Sequence, residues 1–235
     1  MKTHFLETPH GGFEYTLERR PRRRTLAIRV KPDGQVLVAV PPLVPHLFVK
    51  GFLRDKSAWV HRKLADVTRL HRQLATRTYA DGDAVPYLGE DYHLRLVARS
   101  RLDDADRELH LGVRGKPERE AVIASLTRWY KKQALAVMQE RVALLAGRLG
   151  REPSHIGIKS YRTRWGSCHP DGRVYFNWRL VMAPLDVVDY VVAHELCHLL
   201  HPNHSPAFWN EVGRLYPCYR EQRSWLKKHG RLLDL

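Results

Sequence analysis

The sequence predicts an α+β chain. A β-hairpin-rich first half, residues 1–115, precedes a helical second half, residues 116–235, whose chemistry sits on one buried helix. Three observations predict this. Two alternating apolar runs, TLAIRV (25–30) and QVLVAV (35–40), flank Lys31-Pro32-Asp33-Gly34. Asp-Gly between such runs signals a hairpin because glycine accepts the positive φ of a tight turn. A long stretch of helical period opens behind Pro117. A third segment, residues 183–200, is apolar almost all round, as a helix buried on every side must be.

In chain order, Pro41 and Pro42 end the second strand, since proline donates no ladder hydrogen bond. Residues 46–77 place Phe52, Trp59, Leu64, Val67 and Leu70 at helical spacing and predict a helix. VPYL and YHLRLV, within 85–97, predict a second hairpin turning around Gly89-Glu90-Asp91, and ELHLGV (108–113) adds a strand. Pro117 suits a first helical turn, and the helix behind it ends at Gly147 and Gly150. KSYRTRWGSC (159–168) and GRVYFNWRL (172–180) predict a hairpin around His169-Pro170-Asp171-Gly172. The apolar helix 183–200 is stopped by Pro202. Ser205, an N-cap with Pro206 behind it, opens the helix SPAFWNEVGRLY. No internal repeat or low-complexity linker shows. The halves are therefore expected to share one core as a single domain, 1–235.

Composition narrows the partners. Lys+Arg is 40 and Asp+Glu 25, a formal net charge of +15. Residues 1–75 hold 15 basic and 6 acidic residues, and Arg19, Arg20, Arg22, Arg23 and Arg24 are the densest run. Such a surface makes DNA a candidate partner, with Trp59 or Tyr79 available for stacking. The three cysteines Cys168, Cys197 and Cys218 form no CxxC, which argues against a disulfide framework and excludes a thiolate zinc ribbon. The N-terminus has no apolar signal region, and the longest apolar run, VLVAVPPLVP, is too short to span a bilayer. The expectation is a cytoplasmic protein without a membrane partner.

The chemistry concentrates in HELCHLLHPNH, residues 194–204. His194 and His198 are four apart, so a helix puts both imidazoles on one face within reach of a single ion. Glu195 projects beside that ion, placed to take a proton from water, which is the zincin HExxH arrangement. In a chain this rich in histidine a chance HExxH is expected ~0.04 times, and a third histidine at a set position lowers that by a further factor of ~0.06. His204 supplies that third ligand, six residues past His198. Pro202 ends the helix, and Asn203 tolerates the left-handed backbone such a turn can require. Three nitrogens leave a fourth position for water, as a catalytic zinc needs. Metal ligands His194, His198 and His204, catalytic base Glu195 and one Zn2+ per chain are the expected site. His201 reads as exposed and Cys197 as core. Candidates for stabilising an oxyanion are Tyr161, Arg164, Tyr216 and Tyr219.

RWGSC (Arg164 to Cys168), a strand with Asn177 and Leu180, HELxHL (His194 to Leu199) and NHSxxFW (Asn203 to Trp209) together resemble the YgjP-like family of zinc metallopeptidases, relatives of the SprT-like proteases. The resemblance reaches back to RRPRRRTLAIRVKPDG and covers most of the chain. It implies the same three zinc ligands, Glu195 as catalytic acid and base, and a protein or peptide substrate. SprT-like relatives include proteases acting on DNA-crosslinked proteins. Two other readings use the same residues: a zinc hydrolase of a small amide, and a nucleic-acid-binding module with a non-catalytic zinc. The second needs a closed site of four protein ligands, and three are evident. The RWGSC segment reads either as a structural turn against the helix or as an edge strand that pairs with substrate.

Overall fold

The structure is a computed structural model and describes residues 3–235, apart from the side chains of residue 70 and residues 73–75. Leu70, expected on an apolar helix face, thus lies outside the described side chains. The contacts divide the chain into two compact units, Met1–Thr76 and Arg77–Leu235. Each unit has its own hydrophobic cluster. The sequence places the meeting of its halves near residue 115; the contacts divide between Thr76 and Arg77. Each unit contains a four-stranded sheet, and each sheet buries its apolar face against helices of its own unit.

In the first unit, β1 (Thr3–Leu6), β2 (Phe13–Arg19), β3 (Ala27–Val30) and β4 (Val36–Val40) form a sheet of order β1-β2-β4-β3. The outer pairs are antiparallel and β2–β4 is parallel. β3–β4 is the predicted hairpin, with Ile28 opposite Val38. Gly34, at φ 82°, makes its turn and donates to the Lys31 carbonyl at 3.0 Å. Sequence reasoning missed β1 and β2, although Phe13, Tyr15 and Leu17 alternate with Glu14, Thr16 and Glu18. The predicted helix divides into α1 (His46–Asp55) and α2 (Ser57–Ala75). The Ser57 hydroxyl takes the Arg54 carbonyl at 2.7 Å, the competition by which serine bends helices. Val49, Leu53 and Val60 close over Tyr15, Val36 and Val38.

In the second unit, β5 (Ala84–Tyr87), β6 (Glu90–Val97), β7 (Arg101–Asp103) and β8 (Glu108–Gly112) form a sheet of order β5-β6-β8-β7. The first hairpin turns at Leu88-Gly89, one residue earlier than expected, with Tyr87 opposite Glu90. Both turn residues have positive φ, 50° and 87°, as a two-residue turn between right-twisted strands requires. α3 (Arg119–Leu149) runs through the unit with Val122, Leu126, Tyr130, Met138 and Leu145 buried. It ends where Gly150, at φ 74°, donates back to the Ala146 carbonyl.

Behind α3 come β9 (His155–Lys159), β10 (Gly166–Cys168) and β11 (Arg173–Asn177), in sheet order β10-β11-β9. β10–β11 is the predicted hairpin, and β9, unforeseen, pairs parallel with β11. A 3-10 turn, Trp178–Met182, leads into α4 (Leu185–Cys197), then α5 (Pro206–Leu215) and α6 (Tyr219–His229). α4 is buried on nearly every side, as its sequence predicts. α3 and α4 are joined by a two-pronged ion pair. Arg141 Nε and a terminal amino group donate to the two Asp189 oxygens at 2.6 and 2.7 Å, with both side chains largely out of water. Among the described residues no helix is long and apolar enough to cross a membrane.

Candidate active site

α4 carries His194 and Glu195 in its last turn, and His198 caps it with helical backbone angles. The chain then tightens. Leu199 donates to Leu196 O at 2.9 Å and His201 to Cys197 O at 2.9 Å. Pro202 blocks any continuation. No left-handed residue is needed: among the described non-glycine residues only Tyr79, Leu88 and Arg107 have positive φ, so the role foreseen for Asn203 is not used. Ser205 caps α5, its hydroxyl accepting from the Phe208 amide at 3.3 Å. His204 is thereby presented from the loop, facing back to α4.

The structure brings the three expected ligands together. One ring nitrogen each from His194, His198 and His204 lie within 4.8 Å of one another. His204 Nε2 stands 3.1 Å from His194 Nε2. Burial, with His198 and His204 next to it, pushes the His194 ring down to about 3, so it stays neutral, the form that ligates a metal. Burial also lowers His198. His198 Nδ1 contacts the His201 carbonyl at 3.0 Å. With the proton on Nδ1, that bond leaves Nε2 free to face the cluster. His201 thus contributes its backbone; its ring is half-buried rather than fully exposed. His194 Nδ1 is buried without a hydrogen-bond partner.

Phe208 is the floor of this cluster. It is fully buried, and its ring centre lies 4.9, 4.5 and 4.8 Å from those of His194, His198 and His204. Trp209 stacks on the exposed His204 at 5.7 Å and on Tyr219 at 5.6 Å, and the Arg223 guanidinium lies over the Trp209 ring, 4.6 Å from its centre. Neither aromatic was singled out for such a role. The available signal was their place in the first turns behind the Ser205-Pro206 cap, which aims them at the residue just before it.

Glu195 is buried, 6 % exposed. Desolvation pushes its carboxyl up to about 8, against the pull of Arg164 and a hydrogen bond from the Cys168 backbone. Its side chain lies on the bare Cα of Gly166: a Cβ there would stand 2.5 Å from Glu195 Cγ and 2.6 Å from Oε1. The last three residues of RWGSC are a strand, entered through a bend at Trp165, and its glycine makes room for the carboxylate. β10 is the end strand of its sheet. Asn177 fixes the approach to it, donating from its side chain to the carbonyls of Tyr161 and Arg164 at 2.9 and 3.2 Å.

A cleft of about 590 Å³ runs between β10 and the histidines, lined among others by Arg164, Ser167, Cys168, Tyr190, Glu195 and His204. Of the four oxyanion candidates only Arg164 lines it. Tyr161 bonds the Ser167 hydroxyl at 2.6 Å, Tyr219 is held in the Trp209 stack, and Tyr216 faces Asp186 and Asp189, which with burial raise its hydroxyl. Tyr190, which sequence reasoning did not single out, reaches the cleft beside His194. Cys197 is core, as expected.

The chain matches the YgjP-like, metallopeptidase domain family over residues 24–229. No curated protein sequence matches it. Among solved structures it is similar to the metallopeptidase zymogen of Pyrococcus abyssi abylysin, at 19 % identity and a TM-score of 0.36, over 39 % of this chain and 93 % of that one. With a match across most of its length, on both units, the chain belongs to the YgjP-like metallopeptidase family.

Proposed function

We propose that this protein is a zinc peptidase of zincin type, with His194, His198 and His204 as the ligands of one Zn2+ and Glu195 as general base. The observation that carries the reading is the convergence of three histidine nitrogens within 4.8 Å beside a carboxylate buried against an end strand. The donor set fits the ion. Nitrogens ~2.0–2.1 Å from a tetrahedral zinc stand about 3.3 Å apart, close to the 3.1 Å between His204 Nε2 and His194 Nε2. Cys168 lines the cleft but does not join the group of ligand atoms. A three-ligand set fits a catalytic ion better than a structural one.

Bound there, zinc supplies a Lewis acid that polarises a carbonyl and acidifies water. The chain's own residues do the rest. The free edge of β10 pairs with an extended substrate backbone and lays a peptide bond across the cleft. Glu195 takes the proton of the attacking water and returns it to the leaving amine. Arg164 faces the same space and offers positive charge to the oxyanion. The family match spans both units, which supports reading 1–235 as one functional domain. Three unpaired cysteines fit a reducing, cytoplasmic compartment.

The test is cleavage of an unfolded protein by the zinc-loaded chain, with and without single-stranded DNA, against Glu195→Gln. The wild type is expected to cut. The variant is expected to keep one zinc and lose about 10²–10⁴-fold in rate. Dependence on DNA would make the basic surface a switch. If neither protein cuts while both hold zinc, the peptidase reading fails and hydrolysis of a small amide takes its place.

A further inference from the structure

The first unit has a feature that the histidine site does not use. A groove of about 1080 Å³ opens between the segment after β4 and the first turns of α1, lined by Pro21, Pro42, Leu43, Leu47, Phe48 and Phe52 among others. Three of its walls are apolar side chains held out in water: Leu43 is 94 % exposed, Leu47 74 % and Phe48 70 %. Single exposed apolar residues are ordinary, but three around one concavity mark a contact surface. The groove is preformed. Pro21, Pro41, Pro42 and Pro45 fix its lip, and the Arg19 guanidinium donates to the carbonyls of Pro42 and Val44.

Its surroundings are cationic. Arg22 and Arg24 are exposed beside Pro21, and among the described residues neither has a carboxylate within ion-pair distance. Arg20, by contrast, is paired with Glu18 at 2.8 Å. Asp55 stands among the lining residues and is the acidic group there, which gives the groove a direction: carboxylates of a partner belong at the Pro21 side.

We infer that this groove binds a peptide segment that mixes apolar side chains with carboxylates, and so selects protein substrates by an acidic, apolar stretch. The recognition is complementary in both halves. Leucine or phenylalanine side chains of the partner fill the concavity, and its Asp or Glu meet Arg22 and Arg24. A concave apolar site suits inserted side chains better than a bilayer surface. Arginines bordering aliphatic walls suit carboxylates better than stacked bases. The inference rests on the peptidase reading only where it makes the bound peptide a substrate.

The test separates the two. A fluorescent peptide of mixed Glu, Leu and Phe is titrated with the full zinc-loaded chain carrying Glu195→Gln, and its anisotropy gives a Kd that no cleavage can affect. Leu43→Ser/Phe48→Ser is expected to weaken binding about tenfold or more. Arg22→Glu/Arg24→Glu is expected to weaken it about tenfold and to flatten its salt dependence. All four positions are exposed, so circular dichroism should stay that of the parent, and either variant pair tests the site without the other. The same peptide with Lys in place of Glu should not bind. Equal binding of the Lys peptide, indifference to both variant pairs, or no binding overturns the inference. So does tighter binding of phosphatidylserine vesicles or a single-stranded oligonucleotide, lost in the same variants. If the peptide binds this groove but nothing is cleaved by the wild type, the peptidase reading fails and the groove stands.

Discussion

In β1-β2-β4-β3 and again in β5-β6-β8-β7, two antiparallel hairpins are joined through a central parallel pair. The likeness extends to single rows. Tyr15 faces Val36 and Leu17 faces Val38 in one sheet; Leu94 faces Leu109 and Leu96 faces Leu111 in the other. In both, the first of these rows is fully buried and the second leaves one leucine half-exposed. What differs is what the turns touch. The first sheet's β3–β4 turn, at Gly34, has nothing within 4 Å of where a side chain would start. The second sheet's first turn lies on the N-cap of the histidine helix. Leu88 donates to Val181 O at 2.7 Å, and a Cβ on Gly89 would stand 2.8 Å from the Pro184 Cα. The same wiring thus serves as the base of a basic, grooved surface in one unit and as a brace for the histidine-bearing helix in the other. Strand order sets the scaffold, and the turns assign its use.

The sharpest break in this comparison is at charge pairs. In the second unit, Arg141→Ala strands the Asp189 carboxylate on α4, 11 % exposed, and is expected to cost about 3–5 kcal/mol. In the first unit, Lys63→Ala removes a pair with Asp66 in which both side chains are about a third exposed, and is expected to cost at most about 1 kcal/mol. Urea titrations of both variants check this. Equal losses would mean that the α3–α4 pair does not hold the site-bearing helix.

Next in size is Gly166→Ala. The new methyl competes with Glu195 for the same space, and the buried carboxylate has to leave its place against β10. With Glu195 in its proposed role as general base, peptidase activity is expected to fall about 100-fold. Metal content should not change, because none of the three clustered histidines is touched. Activity within a factor of a few of the wild type would show that the carboxylate is not held there for catalysis.

How much of this was legible in the sequence follows from where the forces act. The clustering of the candidate site's histidines was legible because it is local: HExxH on a helix, a proline stop and a Ser-Pro cap fix the three histidines within eleven residues. The repeated sheet was not. What the two copies share is apolar alternation, while the paired residues differ, Tyr15 and Val36 against Leu94 and Leu109, and the positive-φ turn residues differ too, Gly34 against Arg107. Alternation finds strands but leaves their partners open, and parallel pairing of residues as far apart as Tyr15 and Val36, or Leu94 and Leu109, is a non-local choice. α6 escaped for another reason: in YREQRSWLKKH only Leu226 is fully buried, so little apolar period was there to read.

Two turn glycines, one from each unit and from different hairpins, sharpen the contrast between the sheets. Gly34→Ala meets open space and pays only for positive φ, about 1 kcal/mol. Gly89→Ala meets the same backbone penalty and the Pro184 Cα as well, which cannot move without moving the start of α4. About 2–3 kcal/mol is expected, and some loss of activity with it. If the two variants lose stability equally, the brace contributes nothing beyond the turn.

The smallest effects expected are gains. Gly51, inside α1, and Gly147, inside α3, have open space around the missing Cβ and ordinary helical φ. Alanine at either restricts the unfolded chain without a clash and is expected to add about 0.5–1 kcal/mol. The two substitutions report on different cores. Gly51→Ala acts on the cluster built around Tyr15 and Leu53, and Gly147→Ala on the cluster built around Tyr130 and Leu145. Heat denaturation followed by Trp59 fluorescence, in a chain whose other five tryptophans are replaced by phenylalanine, reads the first unit; cleft-side Trp165 in the converse variant reads the second. Each alanine should shift its own transition by a few degrees and leave the other in place. If either one shifts both transitions alike, the two clusters unfold as one cooperative body, and the likeness of the two sheets extends to their stability.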